Sequence, residues 1–125
     1  MQINKFQFIS VDEKNAGIKY EGVEEKGCRP YLVVRTDIKE GYFIAVPLTD
    51  AKTDKGEFKN IGFYWLKYTL AKPSYIKLDH LILFKNEELG KTVKPINKHL
   101  DHNLRKLVIK NLINFITYDK RFFKN

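Results

Sequence analysis

The residues best placed to do chemistry lie in two short motifs, each at the end of an apolar segment. The first motif is Gly27-Cys28-Arg29-Pro30 and the second is Pro47-Leu48-Thr49. A proline restricts the residue before it to an extended backbone, so Arg29 is expected to be fixed where a loop enters a strand. Thr49 places a χ1-restricted hydroxyl at the end of the next strand. If the two strands pair antiparallel, Arg29 and Thr49 come close together.

A guanidinium beside a hydroxyl could bind a phosphate, because the arginine fork is always charged and matches two phosphate oxygens. The other interpretation is structural. In it, Arg29 pairs with a surface carboxylate and Thr49 caps a turn. From the residues alone, we favour this structural interpretation.

Other catalytic and metal-binding patterns are missing from the sequence. There is no Gly-rich phosphate loop, no cysteine pair, no Gly-x-Ser-x-Gly and no His-Glu-x-x-His. His99 and His102 are three residues apart and could share a helical face, but no third ligand lies nearby, so we predict neither a metal nor another cofactor. Cys28 has no activating neighbour beyond Arg29, which argues against a nucleophilic thiol, and a single cysteine fits a reducing compartment.

Apolar and β-branched runs predict the strands that would position these residues. The predicted strands are 6–11, 30–34, 42–48, 63–68 and 75–84, with a break at 72–74 and a short helical turn at 86–90. Residues 12–27 and 50–60 lack apolar periodicity and are predicted as long loops, the second of them mobile. Pro47 lacks an N–H group, so it should mark a strand end or an edge.

The last predicted element is an amphipathic helix over residues 101–117, with Asp101 as its N-cap and a basic outer face. Its core face comprises Leu104, Leu107, Val108, Leu112, Phe115 and Ile116. Ile109 and Ile113 widen the apolar sector, which indicates a second buried surface such as a dimer interface. Strands followed by one main helix predict a single α+β domain, mainly β and antiparallel, over residues 1–125.

Composition agrees with one soluble domain. The chain has 125 residues, 43% of them hydrophobic, which is too short for two ordinary domains but enough for one core. No apolar run approaches the ~18 residues of a membrane helix, so we expect no membrane association and a cytoplasmic location. The net charge is +8, and residues 94–125 hold eight of the 23 Lys and Arg against two Asp. This excess indicates either a polyanionic or acidic partner or simply a solvated face.

With these motifs, the chain resembles the MazF/PemK-type toxins, which are bacterial endoribonucleases of toxin–antitoxin systems. In that family a Gly-x-Arg-Pro motif precedes an apolar strand, as in residues 27–34, and the next strand ends in Pro-Ile/Leu-Thr, as in residues 47–49. A third match is Ser74 to Asp79, followed by Leu89-Gly90. The resemblance covers roughly residues 6–116.

The resemblance implies a small antiparallel SH3-like barrel of the CcdB/PemK type with a C-terminal amphipathic helix. It implies metal-independent cleavage of single-stranded RNA, with the RNA 2′-OH as the nucleophile. Arg29 and Thr49 would then be catalytic: Arg29 would stabilise the charge that develops on the phosphoryl oxygens, and Thr49 would donate a hydrogen bond to the same phosphate. Arginine is a poor base, because it stays protonated in proteins.

Further residues are candidates for binding RNA through phosphate contacts and base stacking. These substrate-binding candidates are Tyr20, Lys26, Lys52, Lys55, Phe58, Ser74 and His80. Each loop residue among them could equally be an ordinary surface side chain. His80 and Ile82 depart from the family pattern, which usually has Gln and Arg at these positions.

The resemblance also implies a homodimer and an antitoxin partner, which would be an acidic protein or an RNA. Two alternatives from other functional classes remain: a non-catalytic toxin of the same fold that binds a protein such as gyrase, and a basic RNA-binding module. In the catalytic interpretation, the Arg29→Ala protein should fold and lose RNA cleavage.

Overall fold

The computed structural model describes residues 2–18 and 27–119. Within them, the strands are β1 (Gln7–Asp12), β2 (Cys28–Asp37), β3 (Tyr42–Asp50), β4 (Leu66–Thr69), β5 (Pro73–Ile76), β6 (Ile82–Lys85) and β7 (Val93–His99). The helices are α1 (Glu13–Ala16) and α2 (Arg105–Tyr118), with 3₁₀ turns at Asn86–Glu88 and His102–Leu104. All strand pairings are antiparallel, in the order β4-β5-β3-β2-β1-β7, with β6 also beside β3.

Both faces of the central strands are buried, which explains their nearly continuous apolar sequences. One face packs with α2 and carries Phe8, Leu32, Val46, Leu48, Ile76, Leu100 and Val108. The opposite face carries Ile9, Val11, Tyr31, Val33, Phe43, Phe84 and Val93. The same alternation puts Arg29 and Thr49 on the second face, with Tyr31.

The predicted strand over residues 75–84 is wrong, because it is two strands with separate pairings on β3. β5 pairs with Leu48–Asp50 and β6 pairs with Tyr42–Ala45. Residues 77–81 lie between these two pairings, outside either ladder. The predicted break at 72–74 is also wrong in part, since β5 begins at Pro73.

Pro47 is neither at a strand end nor on an edge, contrary to prediction. It lies inside β3 opposite Tyr31, at the point where the second partner of β3 changes from β6 to β5. The carbonyl of Pro47 accepts a hydrogen bond of 2.9 Å from the Lys77 amide, so the missing N–H faces the same gap. On the side of β3 that faces β5 and β6, no strand pairs with residue 47. The missing N–H of Pro47 therefore costs the sheet no ladder hydrogen bond.

The two predicted loops contain more structure than expected. The segment after β1 begins with the single-turn helix α1, and residues 19–26 lie outside the described part of the chain. The segment 50–60 is a narrow hairpin closed by a bridge between Lys52 and Phe58. In this hairpin the Thr53 amide donates to the Glu57 carbonyl at 2.7 Å.

The C-terminal region differs from prediction in two respects. Strand β7, which pairs with β1, was not predicted, because its sequence is mostly polar and includes Pro95. Its presence puts His99 in a strand and His102 in a 3₁₀ turn, so the two histidines do not share a helical face. Asp101 makes no side-chain cap hydrogen bond, and α2 begins four residues later, at Arg105.

Helix α2 buries only part of its apolar sector. Val108 and Phe115 are buried, whereas Leu107 and Ile116, both predicted to face the core, are 39% and 49% exposed. The exposed side chains Ile109, Ile113 and Ile116 line a groove of about 520 Å³ together with Lys5 and Arg35, among others. None of the helices in the described ranges, 2–18 and 27–119, is long and apolar enough to cross a bilayer.

We predict that Phe115→Ala lowers the free energy of unfolding by about 3–5 kcal/mol, because it removes a buried ring and leaves a cavity. This ring packs 5.3 Å from that of Tyr64, measured between centroids. Urea denaturation measures the loss. Thr117→Ala, an exposed change on the same helix, is the matched control and should stay within about 0.5 kcal/mol of the wild type. Equal effects of the two variants would contradict this packing.

Candidate functional site

Arg29 and Thr49 lie at the ends of neighbouring strands and line one pocket. β2 and β3 pair antiparallel with Tyr31 opposite Pro47, and Arg29 and Thr49 each lie two residues from this pair, at the same end of the two strands. Both residues line a pocket of about 120 Å³ that also contains Ser74 and Lys72. The structure thus brings together both predicted catalytic residues and one of the predicted substrate-binding residues.

Arg29 is a buried cation, with only 3% of the residue exposed. Its Nε donates to Glu13 Oε1 at 2.8 Å, and its Nη1 donates to the Leu48 carbonyl at 3.1 Å. Glu13 is itself 1% exposed, and its second oxygen accepts a 2.7 Å hydrogen bond from the Tyr31 hydroxyl. The carboxylate that holds Arg29 is therefore an internal one, whereas the structural interpretation of the sequence supposed a surface partner.

Glu13 reaches this position because α1 folds directly after β1. Asp12 caps the helix by accepting from the Asn15 amide, and Gly17 ends it in the left-handed conformation at φ 69°. The Glu13 amide donates to the Gly27 carbonyl at 3.0 Å, which ties the helix to the residue before β2. The sequence analysis missed Glu13. The available signal was the Asp-Glu-x-Asn pattern of a capped turn just after a strand.

A second polar cluster surrounds Trp65, the single tryptophan of the chain. The Asp79 Oδ1 atom accepts from the indole Nε1 at 2.7 Å and lies 2.7 Å from His80 Nδ1. The Lys77 ammonium sits 4.9 Å from the centroid of the indole ring, at cation–π distance. A methyl group on Gly62 would come within 2.5 Å of the indole, so only glycine fits against this ring.

Lys77 connects the two clusters. Its side chain is buried, and this burial lowers the pKa of its ammonium below the ordinary 10.5. Three nearby charges also act on that pKa: Asp79 has the largest effect and raises it, Arg29 lowers it, and Glu13 has the smallest effect and raises it. The ammonium therefore interacts electrostatically with both the Arg29 pair and the Asp79 pair, and the two clusters form one polar region on this face of the sheet.

The other predicted substrate-binding residues lie outside the pocket. Lys52, Lys55 and Phe58 are exposed on the hairpin after β3, where the Lys52 ammonium lies 4.9 Å from the Phe58 ring centroid. His80 belongs to the Trp65 cluster. Tyr20 and Lys26 are among the residues that the structure does not describe.

Cys28 is exposed and lines the same pocket as Arg29 and Thr49. In residues 2–18 and 27–119, no group of three or more His, Cys, Asp or Glu side chains is arranged to hold a metal ion.

The Glu13–Arg29 pair changes the expectation for Arg29→Ala, which would leave a buried carboxylate without its guanidinium partner. We predict that Glu13→Gln and Arg29→Met each lower the free energy of unfolding by about 3–5 kcal/mol, because each strands one buried charge. The double variant should lose less than the sum of the two single losses. Urea denaturation of all four proteins closes the cycle, and strictly additive losses would mean that the pair is not coupled.

The lowered pKa of Lys77 predicts a pH-dependent contribution to stability. Between that pKa and 10.5, the unfolded state binds more protons than the folded state, so this residue's contribution to the free energy of unfolding rises with pH. Lys77→Met should therefore be more stable than the wild type at pH 7, with an advantage that shrinks as the pH rises. Urea denaturation over a pH series measures the difference. Lys67→Met, an exposed change on β4, is the matched control and should stay within about 0.5 kcal/mol of the wild type.

Comparison with known proteins places this geometry in a known fold. Neither a protein-family model nor a curated protein sequence matches the chain. Among solved structures, the Mycobacterium tuberculosis toxin MazF-mt6 is similar to it, with a TM-score of 0.55 and 15% sequence identity over 74% of this chain and 89% of that chain. The fold-class prediction is confirmed: the chain has a MazF-like fold, a mostly antiparallel half-barrel with a C-terminal helix.

Proposed function

We propose that this protein is a MazF-type toxin: a single-domain, metal-independent endoribonuclease that cuts single-stranded RNA with the RNA's own 2′-OH as nucleophile. The observation that carries the proposal is the shared pocket of Arg29 and Thr49 at the ends of β2 and β3. The MazF-like fold supports it, because a toxin of known structure has the same architecture.

The charge and rigidity of Arg29 suit it to stabilise a phosphoryl transition state. Glu13 and the Leu48 carbonyl hold the guanidinium on two sides, so it would not need to reorganise when negative charge develops on the phosphate. Thr49, which lines the same pocket, would donate a hydrogen bond to the same phosphate. Ser74 lines the pocket too, and would contact the neighbouring sugar or phosphate.

The hairpin after β3 would extend the RNA-binding surface away from the pocket. It follows β3 directly and exposes Lys52, Lys55 and Phe58, which would contact phosphates and stack on a base. Tyr20 and Lys26 remain candidates for the same role. Contacts of this type are electrostatic and stacking interactions, and they tolerate many RNA sequences.

The exposed apolar face of α2 supports a homodimer as the working assembly. A second copy that covered Ile109, Ile113 and Ile116 would remove these apolar side chains from water. The adjoining basic residues Lys106 and Lys110 would then be available to an antitoxin, either an acidic protein or an RNA. We place the protein in the cytoplasm with that partner.

One observation favours a second candidate function. Arg29 is almost completely buried and bound to Glu13, as a purely structural arginine would be. In that case the same fold would act by binding a protein target such as gyrase, without cutting RNA. A basic RNA-binding module without catalysis is the third possibility.

We predict that Arg29→Lys slows RNA cleavage about 10²- to 10³-fold, because the ammonium keeps a charge beside Glu13 but loses the planar fork. Thr49→Val should also slow cleavage, since it removes only the hydroxyl. The assay is cleavage of an unstructured RNA in EDTA. Matched controls are Arg35→Lys and Thr69→Val, which alter exposed residues that do not line the pocket and should cut at the wild-type rate.

The product ends and the salt dependence separate the candidate functions. Attack by the 2′-OH gives a 2′,3′-cyclic phosphate and a 5′-hydroxyl, whereas 5′-phosphate ends would mean attack by activated water. RNA methylated at every 2′ oxygen should bind but stay intact, with an affinity that falls as salt rises. Salt-dependent binding without cleavage of ordinary RNA would favour the binding module, and no RNA affinity would favour the protein-binding toxin.

A further inference from the structure

The proposed reaction needs cations that an RNA strand can reach from solvent. In the polar region around the Arg29 and Trp65 clusters, Arg29 and Lys77 are only 3% and 4% exposed. Lys77 interacts electrostatically with two carboxylates, those of Glu13 and Asp79. It also interacts with two other cations, Arg29 and Lys59. Among the described residues that act on Lys77, Lys59 is therefore the exposed cation, and a phosphate that approaches this region meets it first.

Two hydrogen bonds fix the backbone of Lys59 beside the strand end that carries Thr49. The Lys59 amide donates to the Ala51 carbonyl at 2.8 Å, and the Lys59 carbonyl accepts from the Tyr75 hydroxyl at 2.8 Å. Tyr75 lies directly opposite Thr49 in the pairing of β5 with β3, and the side chains of such a pair lie on the same face of the sheet. Lys59 therefore lies at the far end of the Tyr75 ring, on the face that carries Thr49.

The side chain of Lys59 is available to a ligand. The residue is exposed, its two hydrogen bonds use backbone atoms, and within residues 2–18 and 27–119 no carboxylate forms an ion pair with its ammonium. Its charge also acts on the interior, since it lowers the pKa of Lys77. Neighbouring cations that repel each other create a positive potential that attracts an anion. The phosphates of single-stranded RNA are anions of this kind.

We propose that Lys59 binds an RNA phosphate next to the scissile one and thereby positions the strand over Arg29 and Thr49. This inference rests on the proposed function. An ammonium is a compact charge on a flexible stem, so Lys59 recognises the RNA backbone and does not read bases. The contact is made equally in the bound RNA and in the transition state, because the neighbouring phosphate does not react. Lys59 therefore contributes to affinity and leaves the chemical step unchanged.

The salt dependence of RNA binding tests this contact. The probe is an unstructured RNA methylated at every 2′ oxygen, which the proposed reaction cannot cut. We expect Lys59→Met to weaken binding about fivefold at 0.1 M salt and to lower the slope of log Kd against log salt by about 0.7, the value for one phosphate of a single strand. Lys59→Arg keeps the charge and should keep the wild-type slope. The matched control is Lys39→Met, an exposed change in the turn between β2 and β3, at the opposite end of these strands from Arg29, and it should keep the slope too.

A neutral phosphate analogue locates the contact along the RNA. The wild type first shows where the unmodified RNA is cut, and a methylphosphonate then replaces one phosphate at a time on either side of that position in the methylated RNA. Replacement of the contacted phosphate should weaken binding to the wild type about fivefold and leave binding to Lys59→Met unchanged, because the two changes remove the same interaction. On unmodified RNA, Lys59→Met should raise KM by a similar factor with kcat unchanged.

The outcomes separate this inference from the proposed function. If Lys59→Met keeps the wild-type slope while Arg29→Lys is impaired in cleavage, Lys59 binds no phosphate and the endoribonuclease proposal stands. The same holds if Lys39→Met lowers the slope as much as Lys59→Met does. A lower kcat with unchanged KM would also overturn the inference, because it would place the effect of Lys59 in the chemical step. If the wild type cuts no RNA, both proposals fall.

Discussion

The buried ion pair between Glu13 and Arg29 is the interaction on which the site depends. Removing two charges from water costs several kcal/mol per ion, so the pair persists only where hydrogen bonds satisfy both partners. Here the Tyr31 hydroxyl and the Leu48 carbonyl complete those bonds. The pair joins α1, the start of β2 and the end of β3, so the backbone of the pocket and the position of its cation are fixed by the same contacts.

The polar residues of the site lie on the same sheet face as one of the two apolar cores. Tyr31 belongs to that core and also donates a hydrogen bond to Glu13. The Lys77 ammonium packs on the Trp65 ring, and the charges of Arg29 and Asp79 shift its pKa. Because the apolar packing orients the polar groups, a substitution in the apolar core also moves the polar side chains of the site. Stability and chemistry at this site are therefore coupled, and their separation requires variants that preserve volume and charge.

The sequence was sufficient to predict the parts of the fold that depend on local patterns. The apolar runs predicted β2 and β3 and hence the meeting of Arg29 with Thr49, since antiparallel neighbours bring opposite strand ends together. Prediction from the sequence failed where tertiary contacts decide which segments form strands and how they pair. Strand β7 forms from a polar segment because β1 offers it a partner, and the 75–84 run divides into two separate pairings on β3, one on each side of Pro47. Glu13 could not be paired with Arg29 from sequence, since a capped turn of four residues looks like part of a loop.

The gap in the ladder at Pro47 determines where the chain can gain or lose residues without disturbing the sheet. β5 and β6 are registered on β3 independently of each other, on either side of that proline. The connection that carries Lys77, Asp79 and His80 belongs to neither register. Residues could be inserted into or deleted from this connection without sliding either strand along β3, so the groups beside the pocket are free to vary while the frame that holds Arg29 stays constant.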